Sequence, residues 1–126
     1  MKALEEKIGY VFKNKDLLKE ALTHSSYANE QGNLESNERM EFLGDAVLSI
    51  VSAEYLYKKF PDLPEGKLSK IRSSLVCTQS LSSFSRELGV GDYLLLGRGE
   101  KASGGADRDS ILENTFEAII AAIYLD

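Results

Sequence analysis

The run Asn37-Glu38-Arg39-Met40-Glu41-Phe42-Leu43-Gly44-Asp45-Ala46-Val47-Leu48 decides how this sequence is read. Only Gly44 disfavours a helix in it, and no proline follows until Pro61. The pattern predicts a long helix over about 37–60. Ser36 or Asn37 can cap its first N–H groups, and Glu38 puts a negative charge where the helix dipole favours one. At about 100° per residue, Glu38, Glu41 and Asp45 fall within roughly 60° of one another and form one acidic stripe. Leu43, Ala46, Val47 and Ile50 centre on the opposite side, which we expect to face the core.

Three acids on one helix face are usually a solvated surface. Two details weigh against that here. Like charges at i,i+3 and i,i+4 repel, and no lysine stands at i+4 to offset Glu38 or Glu41. Phe42 lies beside the acids and away from the expected core face, which suggests that another surface covers it. Gly44 sits mid-helix, either tolerated there or placed for the close approach of a second backbone.

Outward from this run, helical spacing continues almost throughout. Leu4, Ile8 and Val11 mark a short first segment, and Leu17, Leu18, Ala21 and Leu22 a second. Residues 28–35 read as a loop. Pro64 suits the first turn of a helix running to about Val76. Thr78 is a candidate cap for the next, whose apolar stripe is Leu81, Phe84 and Leu88 and which Gly89 closes. Residues 90–96 read as a turn of helix or a short strand, and residues 97–106 as a polar, glycine-rich loop. A last helix runs over about 108–125 and lacks a closing signal, as expected of a truncated form or one domain of a longer protein. In it Asn114 and Glu117 stand at i,i+3 among Phe116, Ala118, Ile119, Ile120 and Ile123. A glutamate in so apolar a helix needs a partner. That partner is either a salt bridge to Arg72 or Arg39, or a hard cation held by oxygen ligands from two helices. The fold class is all-α, a compact helical bundle.

The 126 residues suit one domain, 1–126, large enough for a core of its own. Hydrophobic residues make up 43% and charged residues 28%, which excludes a disordered chain. The single Cys77 excludes an internal disulfide or a Cys-rich zinc site. We expect it to be a small core residue in a reducing, cytoplasmic setting. Charges interrupt the N-terminal segment, so it is no secretory signal. The longest apolar run, 118–125, falls far short of the roughly 20 residues that cross a bilayer, and no membrane partner is expected. The net charge of −5, with no basic half, argues against a nucleic-acid partner held by a broad basic surface.

Four stretches, in order, answer that objection. Leu22-Thr23-His24-Ser25-Ser26-Tyr27, the run from Asn37 to Ala46, Pro64-Glu65-Gly66 and Ile111-Leu112-Glu113-Asn114-Thr115-Phe116-Glu117-Ala118 resemble the landmarks of the ribonuclease III endonuclease domain. The resemblance covers essentially the whole chain. It implies an all-helical homodimer that cleaves double-stranded RNA with Mg²⁺, or Mn²⁺ in its place, and no small-molecule cofactor. The products would carry 5′-phosphate and 3′-hydroxyl ends with short 3′ overhangs. Glu41, Asp45, Asn114 and Glu117 would form the metal centre, with Asp45 and Glu117 central to catalysis. Glu38 and Glu65 would line the RNA cleft, and Phe42 would plug into the partner subunit. An acidic cleft is what cations require, and the wider RNA affinity would come from a separate double-stranded-RNA-binding domain, absent here.

Asn114 departs from the family, which usually has aspartate there. Asparagine keeps one carbonyl oxygen but loses the charge. Glu113 points about 100° away from it and is not a simple replacement. The expected result is weaker metal binding and slower cleavage with the fold intact. The alternative function is a dimer without turnover that holds RNA or serves in assembly.

His24, the only histidine, is expected to cap or hydrogen-bond near Ser25 and Ser26 rather than act as a base. The loop 97–106 lacks the Gly-Lys-Ser/Thr ending of a phosphate-binding loop, although its Arg98 and Lys101 are candidates for RNA phosphate contacts. Lys67, Lys70 and Arg72 make a basic stripe that serves either as a solvated face or as an RNA contact.

Overall fold

The computed structural model describes residues 1–126 and is all-α, with no strand. Its helices are α1 (Lys2–Ile8), α2 (Lys15–Ala21), α3 (Ser25–Gln31), α4 (Glu38–Lys59), α5 (Glu65–Leu75), α6 (Thr78–Leu88), α7 (Arg98–Ala102) and α8 (Asp109–Leu125). Short 3₁₀ turns occupy Val90–Tyr93 and Gly105–Asp107. No helix is long and apolar enough to cross a membrane.

Helix α8 is the centre of the bundle. Eight of its 17 residues are buried, so it meets neighbours on several sides: chiefly α4, then α6 and α2. Its sequence explains this. Ala118, Ala121 and Ala122 are small enough for neighbouring helices to come close, and Ile119 fills the space between. The core is completed by Leu4, Phe12, Leu18, Leu22, Met40 and Val90. At the far end of α8, the Asp126 carboxylate accepts hydrogen bonds from Tyr10 Oη (2.7 Å) and from the backbone N–H groups of Lys13 and Asn14 (both 2.9 Å). Those two N–H groups, and then the Tyr10 hydroxyl, hold this carboxyl below the ordinary range.

Several local expectations change. Residues 28–35 are not all loop, because α3 continues through Gln31. Its start is fixed by His24, whose ring Nδ1 accepts from the Ser26 N–H at 3.1 Å, the capping role expected of it. Residues 97–106 are not a loop but α7 and the start of a 3₁₀ turn. Contacts distant in sequence hold this segment. Gly97 N–H donates to Ser26 Oγ (2.8 Å) and Arg98 N–H to Glu30 Oε2 (2.7 Å). An Arg108–Glu100 ion pair closes it. Residues 90–96 combine a 3₁₀ turn with a single bridge between Thr23 and Leu95.

Val11 lies beyond α1 and is exposed, while Phe12 takes the core position. On α6 the buried positions are Leu81, Ser82 and Ser85. Phe84 is displaced to the rim, where it pairs with Phe116 at 5.7 Å between ring centres. Ser85 can be buried because its hydroxyl donates to the Leu112 carbonyl at 2.7 Å. Cys77 is exposed at the N-cap of α6 and not in the core. Gly89 closes α6 in the left-handed conformation, φ 70°, as expected.

Candidate active site

Helix α4 turns only part of the expected face inward: Leu43 packs against the core and Val47 is half-buried. Ala46 and Ile50 are exposed, and Met40, Gly44 and Leu56 are buried. Gly44 is the cause. A Cβ added there would lie 1.7 Å from the Glu117 carbonyl oxygen, so the two helices cross backbone to backbone at this point. Glu41 precedes the crossing by one turn and Asp45 follows it by one residue. The same contact fixes Glu117 opposite them. The acidic stripe of α4 and the lone buried glutamate of α8 are thereby brought to one place.

Glu117 is 8% exposed and has no basic partner, which rules out the salt bridge to Arg72 or Arg39. Its carboxyl is pushed up to about 8. Burial is the main cause, followed by a hydrogen bond to the Asp45 carboxylate and the negative charges of Asp45, Glu113 and Glu41. Glu41 is also raised, first by burial and then by Glu38, Glu113 and Asp45.

A raised carboxyl binds more protons folded than unfolded. Its contribution is full below the unfolded value of 4.5 and is lost as pH rises toward about 8. The metal-free protein should therefore lose a few kcal/mol across this window, an order-of-magnitude figure from about 1.4 kcal/mol per pKa unit. Glu117→Gln should remove most of that slope. Urea melts in a chelator at several pH values check this, and an unchanged slope in the variant would contradict it.

Of the other expected site residues, Glu38 is exposed at the rim beside Glu41. Asn114 is half-buried one turn before Glu117. Glu65 is exposed and accepts from Ser69 Oγ at 3.0 Å. Arg98 and Lys101 are exposed on α7. Phe42 points outward and is 82% exposed. Sequence reasoning weighed Glu113 only as a replacement for Asn114, whereas it bears on both Glu41 and Glu117. The signal was available: Glu113 and Glu117 are i,i+4.

A family model described as Ribonuclease-III-like matches residues 14–126. The chain belongs to the ribonuclease-III-like family. It is 58% identical to Ribonuclease 3 of Caldanaerobacter subterraneus subsp. tengcongensis over 98% of its own length and 54% of that protein's. It is 51% identical to Ribonuclease 3 of Lactococcus lactis subsp. lactis over 99% of its length and 55% of that protein's. The chain thus spans about half the length of the curated relatives it matches. Among solved structures it resembles the nuclease domain of ribonuclease III from Campylobacter jejuni, with a TM-score of 0.90 at 46% identity. That match covers 98% of this chain and 83% of the other. The C. jejuni structure is described for flexibility in the region involved in dimer formation.

Membership of the ribonuclease-III-like family implies dependence on a divalent metal in general. The donor set suits a hard cation: Glu41, Asp45 and Glu117 offer carboxylate oxygens and Asn114 a carbonyl oxygen. Their mutual repulsion is what a cation would relieve. As they stand, the carboxylates of Glu41, Asp45 and Glu117 do not form a ready-made ligand cage, so binding would draw them together.

Proposed function

We propose that this chain is the endonuclease domain of a cytoplasmic ribonuclease III that cleaves double-stranded RNA in RNA processing. It would leave 5′-phosphate and 3′-hydroxyl ends with short 3′ overhangs. The observation that carries this reading is the α4–α8 crossing, which sets the buried Glu117 carboxyl, with no basic partner, against the Glu41 and Asp45 carboxylates. Mg²⁺, or Mn²⁺ in its place, held by these oxygens would supply an activated water and stabilise the leaving oxygen of a phosphodiester. Asp45 is exposed, Glu41 half-buried and Glu117 buried, so the three would meet the ion at the solvent boundary of the crossing. No side chain is needed as nucleophile. Glu38 and Glu65 would line the RNA cleft, with Arg98 and Lys101 on backbone phosphates. The broader RNA affinity would come from a separate double-stranded-RNA-binding domain. The test is incubation with a perfect RNA duplex at low salt, with and without Mg²⁺. Metal-dependent cleavage supports the reading; a duplex left intact even when an RNA-binding domain is appended overturns it.

The active form would be a homodimer. Phe42, Ile50, Val51, Tyr55 and Tyr57 all stand more than half exposed along α4. Beside Phe42 lies a groove of about 640 Å³ with Leu17, Met40, Leu43 and Leu125 on its walls. A second copy can seat its Phe42 in that groove and cover the helix, and the two centres then share one cleft, each cutting one strand. Phe42→Ala should shift the chain toward monomer in sedimentation at micromolar concentration, with at least about tenfold weaker association for a buried aromatic anchor. An unchanged dimer in the variant would remove Phe42 from the interface.

Asn114 bears on the rate. A centre with a carbonyl in place of a fourth carboxylate attracts a divalent cation less strongly. The second reading, a dimer that holds RNA without turnover, follows if that loss is complete.

A further inference from the structure

On α8 the neighbours of Glu117 in the preceding turn are Glu113 and Asn114. Taking about 100° per residue, Glu113 lies roughly 40° to one side of Glu117 and Asn114 roughly 60° to the other. The comparison that matters is with Glu117, not between the two neighbours, and by it Glu113 lies closer to the stripe that faces α4. Residues at i,i+4 also stand close enough for their charges to interact.

Glu113 is half-buried and its position is held from outside its own helix. Thr78, the first residue of α6, is where a capping hydroxyl is expected. Its Oγ1 does not cap α6 and instead donates to Glu113 Oε2 at 3.0 Å, across 35 residues of sequence. No lysine or arginine pairs with Glu113. From there its negative charge acts on the carboxyls of Glu41 and Glu117, an arrangement that costs stability unless a cation joins it.

Resting on the metal-dependent reading above, we propose that Glu113, oriented by Thr78, is a positioning residue of the metal centre that supplies the negative charge Asn114 withholds. It acts on the electrostatics of the site and need not ligate. Glu113 and Asn114 together carry one negative charge beside Glu117, as an uncharged residue followed by aspartate would. The chain keeps the charge and moves it one residue along α8.

The test is Mn²⁺ binding to the whole chain without RNA, followed by titration calorimetry and by the loss of free-ion paramagnetic resonance signal. Glu113→Gln should weaken binding about fivefold, the scale of one charge several ångströms from a divalent cation near solvent. Thr78→Val should weaken it about twofold, because the charge remains but is no longer held. Asn114→Asp should tighten binding, and the double change Glu113→Gln with Asn114→Asp should return it to near the starting value. Glu87→Gln, an exposed glutamate on the outer part of α6, controls for net charge and should have no effect. Helicity by circular dichroism confirms that each variant is folded. If Glu113→Gln binds Mn²⁺ like the parent chain, Glu113 only ties α6 to α8, and this proposal fails while the metal reading stands. If the double variant stays weak, charge relocation fails. If the parent chain shows no saturable Mn²⁺ binding, both readings fall.

Discussion

Gly44→Ala should cost at least about 3 kcal/mol of folding stability, the upper part of the range for overpacking a tight site. The melting temperature should fall by roughly 10 °C or more for a domain of this size. Most overpacked positions push on a side chain that can rotate away. Here the new methyl would meet a main-chain oxygen, the Glu117 carbonyl, at 1.7 Å, so α4 and α8 must separate. Separation also moves Glu41 and Asp45 away from Glu117, so cleavage should be lost even where the variant still folds. Gly99→Ala is the control: a Cβ there meets nothing within 4 Å. It should be neutral or slightly stabilising, since alanine is the better helix former. Thermal melts of the two variants side by side decide the matter. A Gly44→Ala protein as stable as Gly99→Ala would mean that the helices can slide apart at little cost.

Glu117→Gln should have the opposite signature. It removes an anionic oxygen from the centre, and duplex RNA cleavage should fall by about a thousandfold or more, roughly 4 kcal/mol of lost transition-state stabilisation. The same change removes the burden of a carboxyl raised to about 8, so without metal the variant should be more stable than the parent near neutral pH and above. Activity down and stability up in one substitution is expected where a site is strained for function. Asn114→Asp should raise the cleavage rate about tenfold by adding a charge near the metal. Single-turnover cleavage with saturating enzyme measures both. An Asn114→Asp protein with unchanged rate and metal dependence would show that asparagine suffices.

The parts of the site that follow from helical periodicity were legible in the sequence. Glu38, Glu41 and Asp45 share a stripe because 3.6 residues make a turn, and Glu117 is conspicuous because its neighbours are apolar. The orientation of α4 was not legible in the same way. Hydrophobicity pointed to Ala46 and Ile50 as core, whereas the packing is decided by Gly44, the one residue with no side chain to weigh. Ile50 is apolar and exposed, so a pattern that equates apolar with buried misplaces part of the face, while the exposure of Phe42 is as its position beside the acids implied. The short helices α3 and α7 escaped for another reason. Neither has enough turns to announce itself, and both depend on partners far along the chain: Ser26 with Gly97, and Glu30 with Arg98. Glu113 was set aside because its angle was measured from Asn114. Thr78 would have redirected attention, but only the folded chain brings it to Glu113.

The centrality of α8 has a consequence for how the molecule is made. Every element that packs on it precedes it in the sequence. During synthesis, α2, α4 and α6 leave the ribosome with the faces that meet α8 unmatched, although α5 can already lie against α4. Contacts of such long sequence separation close late and slowly. The carboxylates of α4 thus acquire their partner only when residues 109–125 emerge. Until then the nascent chain has the acidic stripe of α4 but no assembled site, and it must be shielded from association through the same exposed apolar surface.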